Sequence, residues 1–314
     1  MRIAQSIVFV VGSVLVCCAT CPAQAETGVE LTNTHLVMTV NGNAIAEYRF
    51  GDVQYKPYIE IFRTPSGMNL LRDAPHDHLH HHALMFAVGV DGVDFWQEGN
   101  LPGTQVQKEF AEVGDLHPRY ETAGFVQRLN WVGPESGEPL LAEKRTVHVF
   151  DPEEFGTSLL SWETELTVPA EKGTATLTGS HYFGLGMRFI ESMDEEGSFF
   201  NADQAEGEPV RGDEQLTRSR WCAYAAMANG SPVTVAMFDS PENARHPAWW
   251  FTMQTPFAYL SATLNLHREP MELKSGAPLT LRYGVAFWDG HVDAEAVEQA
   301  FRKWLETLQP AEEN

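Results

Sequence analysis

His35-Leu36-Val37-Met38-Thr39-Val40-Asn41-Gly42-Asn43-Ala44-Ile45-Ala46-Glu47-Tyr48-Arg49-Phe50 reads as two strands joined by an Asn-Gly turn. That pair supplies the positive φ angles a two-residue hairpin turn requires. Leu84 to Val90, Asp91-Gly92 and Val93 to Trp96 repeat the pattern. Further strands are expected at Phe125 to Trp131, Lys144 to Phe150, Ser158 to Val168 and Thr174 to Phe183. Asn229-Gly230 precedes another at Val233 to Phe238, and Leu279 to Phe287 closes the series. Short strands separated by glycine and proline turns predict a mainly β fold. The expectation is a large antiparallel β-sandwich, mutarotase-like or jelly-roll-like, forming a single domain over 26–309.

The C-terminus departs from this pattern. Asp293 is placed to cap a helix over 293–308 in which Val297, Phe301, Trp304 and Leu308 recur at helical spacing. Residues 310–314 form an acidic tail. At the other end, Arg2, the apolar run Ile7 to Cys18 and the small residues Ala23-Gln24-Ala25 predict a secretory signal over 1–25. Three of the four cysteines lie in that leader, so the remaining Cys222 can form no internal disulfide. Export without disulfides points to a bacterial periplasm or exterior. Cys222 sits among Trp221 and Tyr224 and reads as a packing residue. With 43 acidic against 21 basic residues the net charge is −22. Such a surface repels phosphate backbones and anionic lipid, which argues against nucleic-acid and membrane partners.

Several separated motifs are recognisable. Tyr55-Lys56-Pro57-Tyr58, Thr64-Pro65-Ser66-Gly67, Asp77-His78-Leu79-His80-His81 and Asp94-Phe95-Trp96 come in that order. Gly184-Leu185-Gly186-Met187-Arg188-Phe189, Trp221-Cys222 and Asp239-Ser240-Pro241-Glu242-Asn243-Ala244-Arg245-His246-Pro247 follow. Together they resemble a bacterial family of unknown activity that carries the label methane oxygenase PmoA. The label implies a metal-dependent oxygenase. Its namesake subunit crosses the membrane several times, whereas no segment after residue 25 approaches the roughly 18 uninterrupted apolar residues of a spanning helix. The usual motif reads Asp-His-Pro-His-His-Arg-Gly. Here Leu79, His82 and Ala83 stand at its proline, arginine and glycine positions, which removes the cation that could pair an anion there.

The densest chemistry lies in Pro75-His76-Asp77-His78-Leu79-His80-His81-His82, which holds five of the twelve histidines. Histidine titrates near neutrality and is a common metal ligand. Read as an extended segment, the run would turn His76, His78, His80 and His82 to one face and Asp77 and His81 to the other. Same-face imidazoles could hold a divalent metal at the His78/His80 cluster, with His181, Glu191 or His246 completing the set. Without a metal, the same side chains could move protons, with Asp77 orienting its neighbour. A polar rim bonding only backbone carbonyls is the bland alternative.

Outside the run, His181 precedes a glycine-interrupted strand where a ligand could approach the backbone. Arg188, in an apolar strand, must pair with a carboxylate such as Glu191 or bind substrate. Arg245 and His246 occupy a turn-rich loop. Trp96, Trp249 and Trp250 offer indole faces for stacking on a sugar, though most tryptophans in a sandwich are core. His117, His148, His267 and His291 read as surface residues. The leading expectation is an enzyme using Asp77, His78, His80, His81, His181 and His246 on a small polar or carbohydrate substrate by hydrolysis, elimination or epimerisation. Arg188, Arg245, Trp96 and Trp250 would bind it. A non-catalytic periplasmic carbohydrate-binding protein and a metal-dependent oxygenase are the alternatives.

Overall fold

The computed structural model describes residues 27–134, 137–194 and 196–310. The expected leader over 1–25, and the acidic tail beyond Pro310, lie outside the described residues. The quoted hairpin forms as read: His35–Val40 pairs with Asn43–Arg49, and Asn41 and Gly42 take φ of 52° and 75°. Asp91-Gly92 and Asn229-Gly230 turn with the same pair of positive φ angles.

Two antiparallel sheets form a sandwich. The ten-stranded sheet has at its centre Tyr58–Phe62, Leu84–Ala87, Gly184–Arg188, Tyr259–Thr263 and Trp249–Met253, in that spatial order. The eight-stranded sheet has Trp221–Ala228, Ser231–Asp239, Leu279–Asp289, Ser158–Thr167 and Pro139–Phe150 side by side, with Thr122–Val132 and Thr104–Gly114 beyond. The inner faces meet through rings: Tyr48 on Phe125 at 4.4 Å, Phe62 on Phe287 at 4.5 Å and Phe86 near Trp131 at 6.0 Å. Two expected strands are broken. Leu84 to Val90 divides at Val88, so that Gly89–Val90 joins a small four-stranded sheet. Thr174 to Phe183 ends at Thr178, and a turn carries residues 180–183 to Gly184.

The eight-stranded sheet is buried on its outer face too. Trp221, Ala223, Ala236, Phe238 and Ala286 point away from the sandwich and receive Val297, Ala300, Phe301 and Trp304 of the helix Ala294–Thr307. Asp293 caps that helix by accepting from Ala296 N at 3.0 Å. Gly284 leaves the space the Trp304 indole fills, since a Cβ there would lie 2.9 Å from it. His117, expected at the surface, is half-buried and donates to Thr307 O, whereas His291 is exposed as expected and donates to Ala226 O. His148 is half-buried against Phe150, and burial lowers its pKa to about 3.

A fully buried ion pair lies within the core. All five donors of Arg145 are used: on both oxygens of Glu143 (2.8 and 2.9 Å), Tyr48 Oη (3.0 Å), Pro57 O (3.1 Å) and Gln105 Oε1 (2.8 Å). Glu143 also accepts from Trp131 Nε1 at 2.7 Å and Thr164 Oγ1 at 3.0 Å. Burial pulls the Arg145 guanidinium down, but the Glu143 carboxylate outweighs it and the net shift is upward. Removing one partner strands the other charge without water, at a cost of about 3–5 kcal/mol. Glu143→Gln and Arg145→Met are each expected to lower stability by that amount in chemical denaturation. A loss under about 1 kcal/mol would show that the pair does not tie the sheets.

Candidate active site

The histidine run is not extended. His78 N donates to Pro75 O and His81 N to His78 O, at 2.9 and 3.0 Å, so two successive turns fold it back on itself. The alternating-face expectation fails for that reason. Turns bring His78, His80 and His81 together, with ring centroids 4.6, 4.7 and 5.7 Å apart. His76 is exposed, and His82 is directed elsewhere.

These rings border a cavity of about 530 Å³ on the outer face of the ten-stranded sheet. Residues two apart share a sheet face, so Phe251 and Met253 of one strand and Tyr259 of the next form its floor beside Arg188. Gly186, opposite Ser261, leaves room for Tyr259: a Cβ there would meet the hydroxyl at 2.1 Å. The backbone of Ala262 likewise occupies the space beside Gly184. The glycines that looked like room for a ligand are filled by the protein itself. Asp94 accepts from the backbone of Trp96 and Gln97 (2.7 and 2.9 Å), which turns Trp96 against His80 and His81. Tyr182, bonded by Gln97 at 2.9 Å, and Arg211, Asp213 and Glu214 add a polar wall.

Burial sets the charge on the rings. Desolvation, with the neighbouring His78 and Lys56, lowers His80 to about 4. Desolvation and the adjacent His80, His78 and Arg188 lower His81 to about 2. Both are neutral at pH 7. Burial pushes Asp77 upward, but the hydrogen bond with His78 (3.0 Å) and the charge of Arg188 prevail and hold it at about 2. Arg188 is 1% exposed, and its nearest carboxylate is Asp77 at 3.5 Å. Glu191, the expected partner, pairs with Arg72 instead.

The residues needed for a metal do not converge. Among the described residues no group of three or more His, Cys, Asp and Glu side chains could hold an ion. His78 and His81 stack with planes 22° apart, and among the described residues no third ligand joins the His78/His80 pair.

Other expected site residues lie outside the cavity wall. His181 bonds Glu214 at 3.2 Å and so touches the site through that carboxylate. His246 donates to Asp239 at 2.6 Å; Asp239 also accepts from Asn243 and Ala248, which closes the 239–248 loop. Arg245 donates to the carbonyls of Leu264 and Glu269. Trp250 is fully buried in the core and donates to Ser219 O at 2.6 Å, leaving no face for a sugar. Trp249 is half-buried beneath Arg268. Cys222 is buried, and burial pushes its thiol up, away from reactivity.

The sequence matches the model of a family of unknown function, DUF6807, over residues 35–302. The chain belongs to that family. No curated protein matches it. Among solved structures it is similar to an α-galactosidase from Lactobacillus brevis, with 9% identity, a TM-score of 0.52, and coverage of 90% of this chain and 42% of that one. It also matches the GH36 α-galactosidase AgaA from Geobacillus stearothermophilus at 7% identity and a TM-score of 0.46, covering 84% of this chain and 41% of that one. The chain thus spans less than half the length of these enzymes. The first likeness shows a shared β-sandwich fold and no more. No helix among the described residues is long and apolar enough to cross a membrane.

A network behind the cavity escaped sequence reasoning. His82 stands where the resembled motif has arginine, and its two nitrogens face Asp73 at 2.7 Å and Glu98 at 2.9 Å. Only a protonated imidazole donates from both nitrogens. Burial opposes that charge, but the hydrogen bonds of Asp73 and Glu98 prevail, and the pKa is raised. Glu98 also accepts from the buried Lys56 at 2.6 Å, and Tyr58 stacks on His82 while donating to Asp73. The ring thus does a guanidinium's work between internal carboxylates. Ala83, at the motif's glycine position, takes φ of 39°, a region glycine enters freely and alanine at a cost of about 1 kcal/mol.

The two kinds of histidine predict opposite pH effects. Above the unfolded value near 6.5 His81 contributes no slope. As pH falls, the unfolded chain takes up a proton the folded ring refuses, and stability drops by about 1.4 kcal/mol per pH unit. His81→Gln should remove that slope between pH 6 and 4 in denaturation curves, and an unchanged slope would show that the ring is not held neutral. His82 does the reverse, stabilising fully below its unfolded value and losing its contribution as pH rises through its raised value. His82→Arg, always charged, should therefore gain on the wild type between pH 6 and pH 9. A difference equal at both pH values would mean that the His82 ring is not protonated.

Proposed function

We propose that this is an exported enzyme that acts on a sugar or modified sugar by histidine acid–base chemistry. The observation that carries the reading is the gathering of His78, His80 and His81 on one aromatic-walled cavity, with Asp77 bonded to His78 Nδ1. A proton on Nδ1 directed to Asp77 leaves Nε2 of His78 free to act as base. Asp77 remains ionised and stabilises the imidazolium as it forms. His80 and His81, held neutral, can hydrogen-bond substrate oxygens without placing a second charge beside it. The half-buried Tyr182, with the edges of the buried Trp96 and Phe257, supplies apolar surface for a ring. The shared fold with an α-galactosidase supports a sugar as the substrate class. Proton transfer of this kind serves elimination, epimerisation or hydrolysis.

Passive carbohydrate binding is the second reading, favoured by a wall that is largely aromatic. A metal-dependent oxygenase would need a ligand set that His78 and His80 do not form with their described neighbours. His78→Ala is expected to lower kcat on a converted sugar by about 100- to 10,000-fold with little change in KM. Turnover unaffected by that substitution would sink the catalytic assignment. Saturable sugar binding with no product from the wild type would leave the passive reading in its place.

A further inference from the structure

Four side chains around this cavity hold polar atoms that are buried and have no hydrogen-bond partner: His81 Nδ1, Trp96 Nε1, Tyr259 Oη, and both Nε and Nη1 of Arg188. They touch one another's surroundings. His81 lies 5.3 Å from both the Trp96 and the Tyr259 rings, and the Arg188 guanidinium lies 3.5 Å from the centroid of Phe257. Indole and guanidinium N–H groups can only donate, and here they reach no acceptor: the Tyr259 hydroxyl and His81 Nδ1, which could accept, are themselves without a partner. Buried donors left unmade cost about 1–3 kcal/mol each, and more when charged. Such a constellation is complementary to a ligand that brings acceptors.

Arg188 says what kind. Its surroundings hold Asp77, its ion-pair partner at 3.5 Å, together with Asp194 and Arg72, and both carboxylates are shared with other donors. Asp77 bonds His78, and Asp194 accepts from Ala258 N at 2.8 Å. A face of Phe257 covers the cation, a contact worth about 0.5–2 kcal/mol and a poor substitute for acceptors. Phe257 rides on a hairpin loop whose Gln254 and Thr255 N–H groups rest on Asp213. We propose that the substrate carries a carboxylate, and that Arg188, reached when Phe257 turns aside, is its counter-charge. The class is then an acidic sugar such as a hexuronate, and the inference rests on the sugar reading above. A monoanion fits better than a phosphate, because Asp213 and Glu214 already line the cavity and would repel a second charge.

The test is isothermal titration of the wild-type protein with hexuronates, their uronamides, the parent hexoses and hexose phosphates. Uronates should bind at least about tenfold tighter than the isosteric amides and the hexoses. Arg188→Met should abolish that margin while retaining hexose binding, and the wild-type comparison stands alone if this variant does not fold. Equal binding of uronate, amide and hexose would overturn the carboxylate and spare the sugar reading. Tighter binding of phosphates would also overturn it. A margin that survives Arg188→Met would overturn the role of that residue, and absence of binding by any sugar would overturn both readings.

Discussion

The structure depends on the buried pair of Arg145 and Glu143. Two charges removed from water are tolerable only if every donor and acceptor finds a partner. Here the partners come from both sheets: Tyr48 and Pro57 from one, Gln105, Trp131 and Thr164 from the other. Gln105 also donates to Phe86 O, on the strand that follows the histidine run. Pro57 sits between Lys56 and Tyr58, both members of the network behind the cavity. One satisfied ion pair therefore sets the inner face of the sandwich, and through two short connections it sets the backing of the site.

Because the inner face and the helix-covered outer face of the eight-stranded sheet are packed, the outer face of the ten-stranded sheet is the surface left to build on. Strand alternation delivers Arg188, Tyr259, Phe251 and Met253 to it. Loops deliver the rest: two turns for the histidines, an Asp94-centred turn for Trp96, and the Phe257 hairpin. Three histidines of the run then differ through surroundings alone. His80 and His81 are desolvated among rings and stay neutral, while His82, one residue on, lies between two carboxylates that raise its pKa and favour its protonated form.

Much was legible in the sequence because its signals are local. Asn41-Gly42, Asp91-Gly92 and Asn229-Gly230 marked turns, since positive φ at paired positions restricts residue choice. Asp293 and the Val297, Phe301, Trp304 spacing marked the helix. The histidine density marked the site, but its geometry was misread as extended, because turn formation in that run depends on carbonyls whose placement local residues do not reveal. Trp250 and Trp96 look alike in sequence, yet one is core and the other borders the cavity. Arg245 and His246 looked like site residues because a turn-rich loop suggests function, whereas here they knot that loop closed.

The sequence by itself determined the antiparallel β class, the hairpins, the C-terminal helix and the crowding of histidines in one run, each through short-range chemistry or recurring spacing. Only the tertiary structure decided which residues share the cavity. Tyr182 reaches Trp96 and Phe257 reaches His81 from loops far apart in the chain, and nothing local to them signals it. It also decided the charge on each histidine, because desolvation and carboxylate contact are properties of the packed interior and not of the residue.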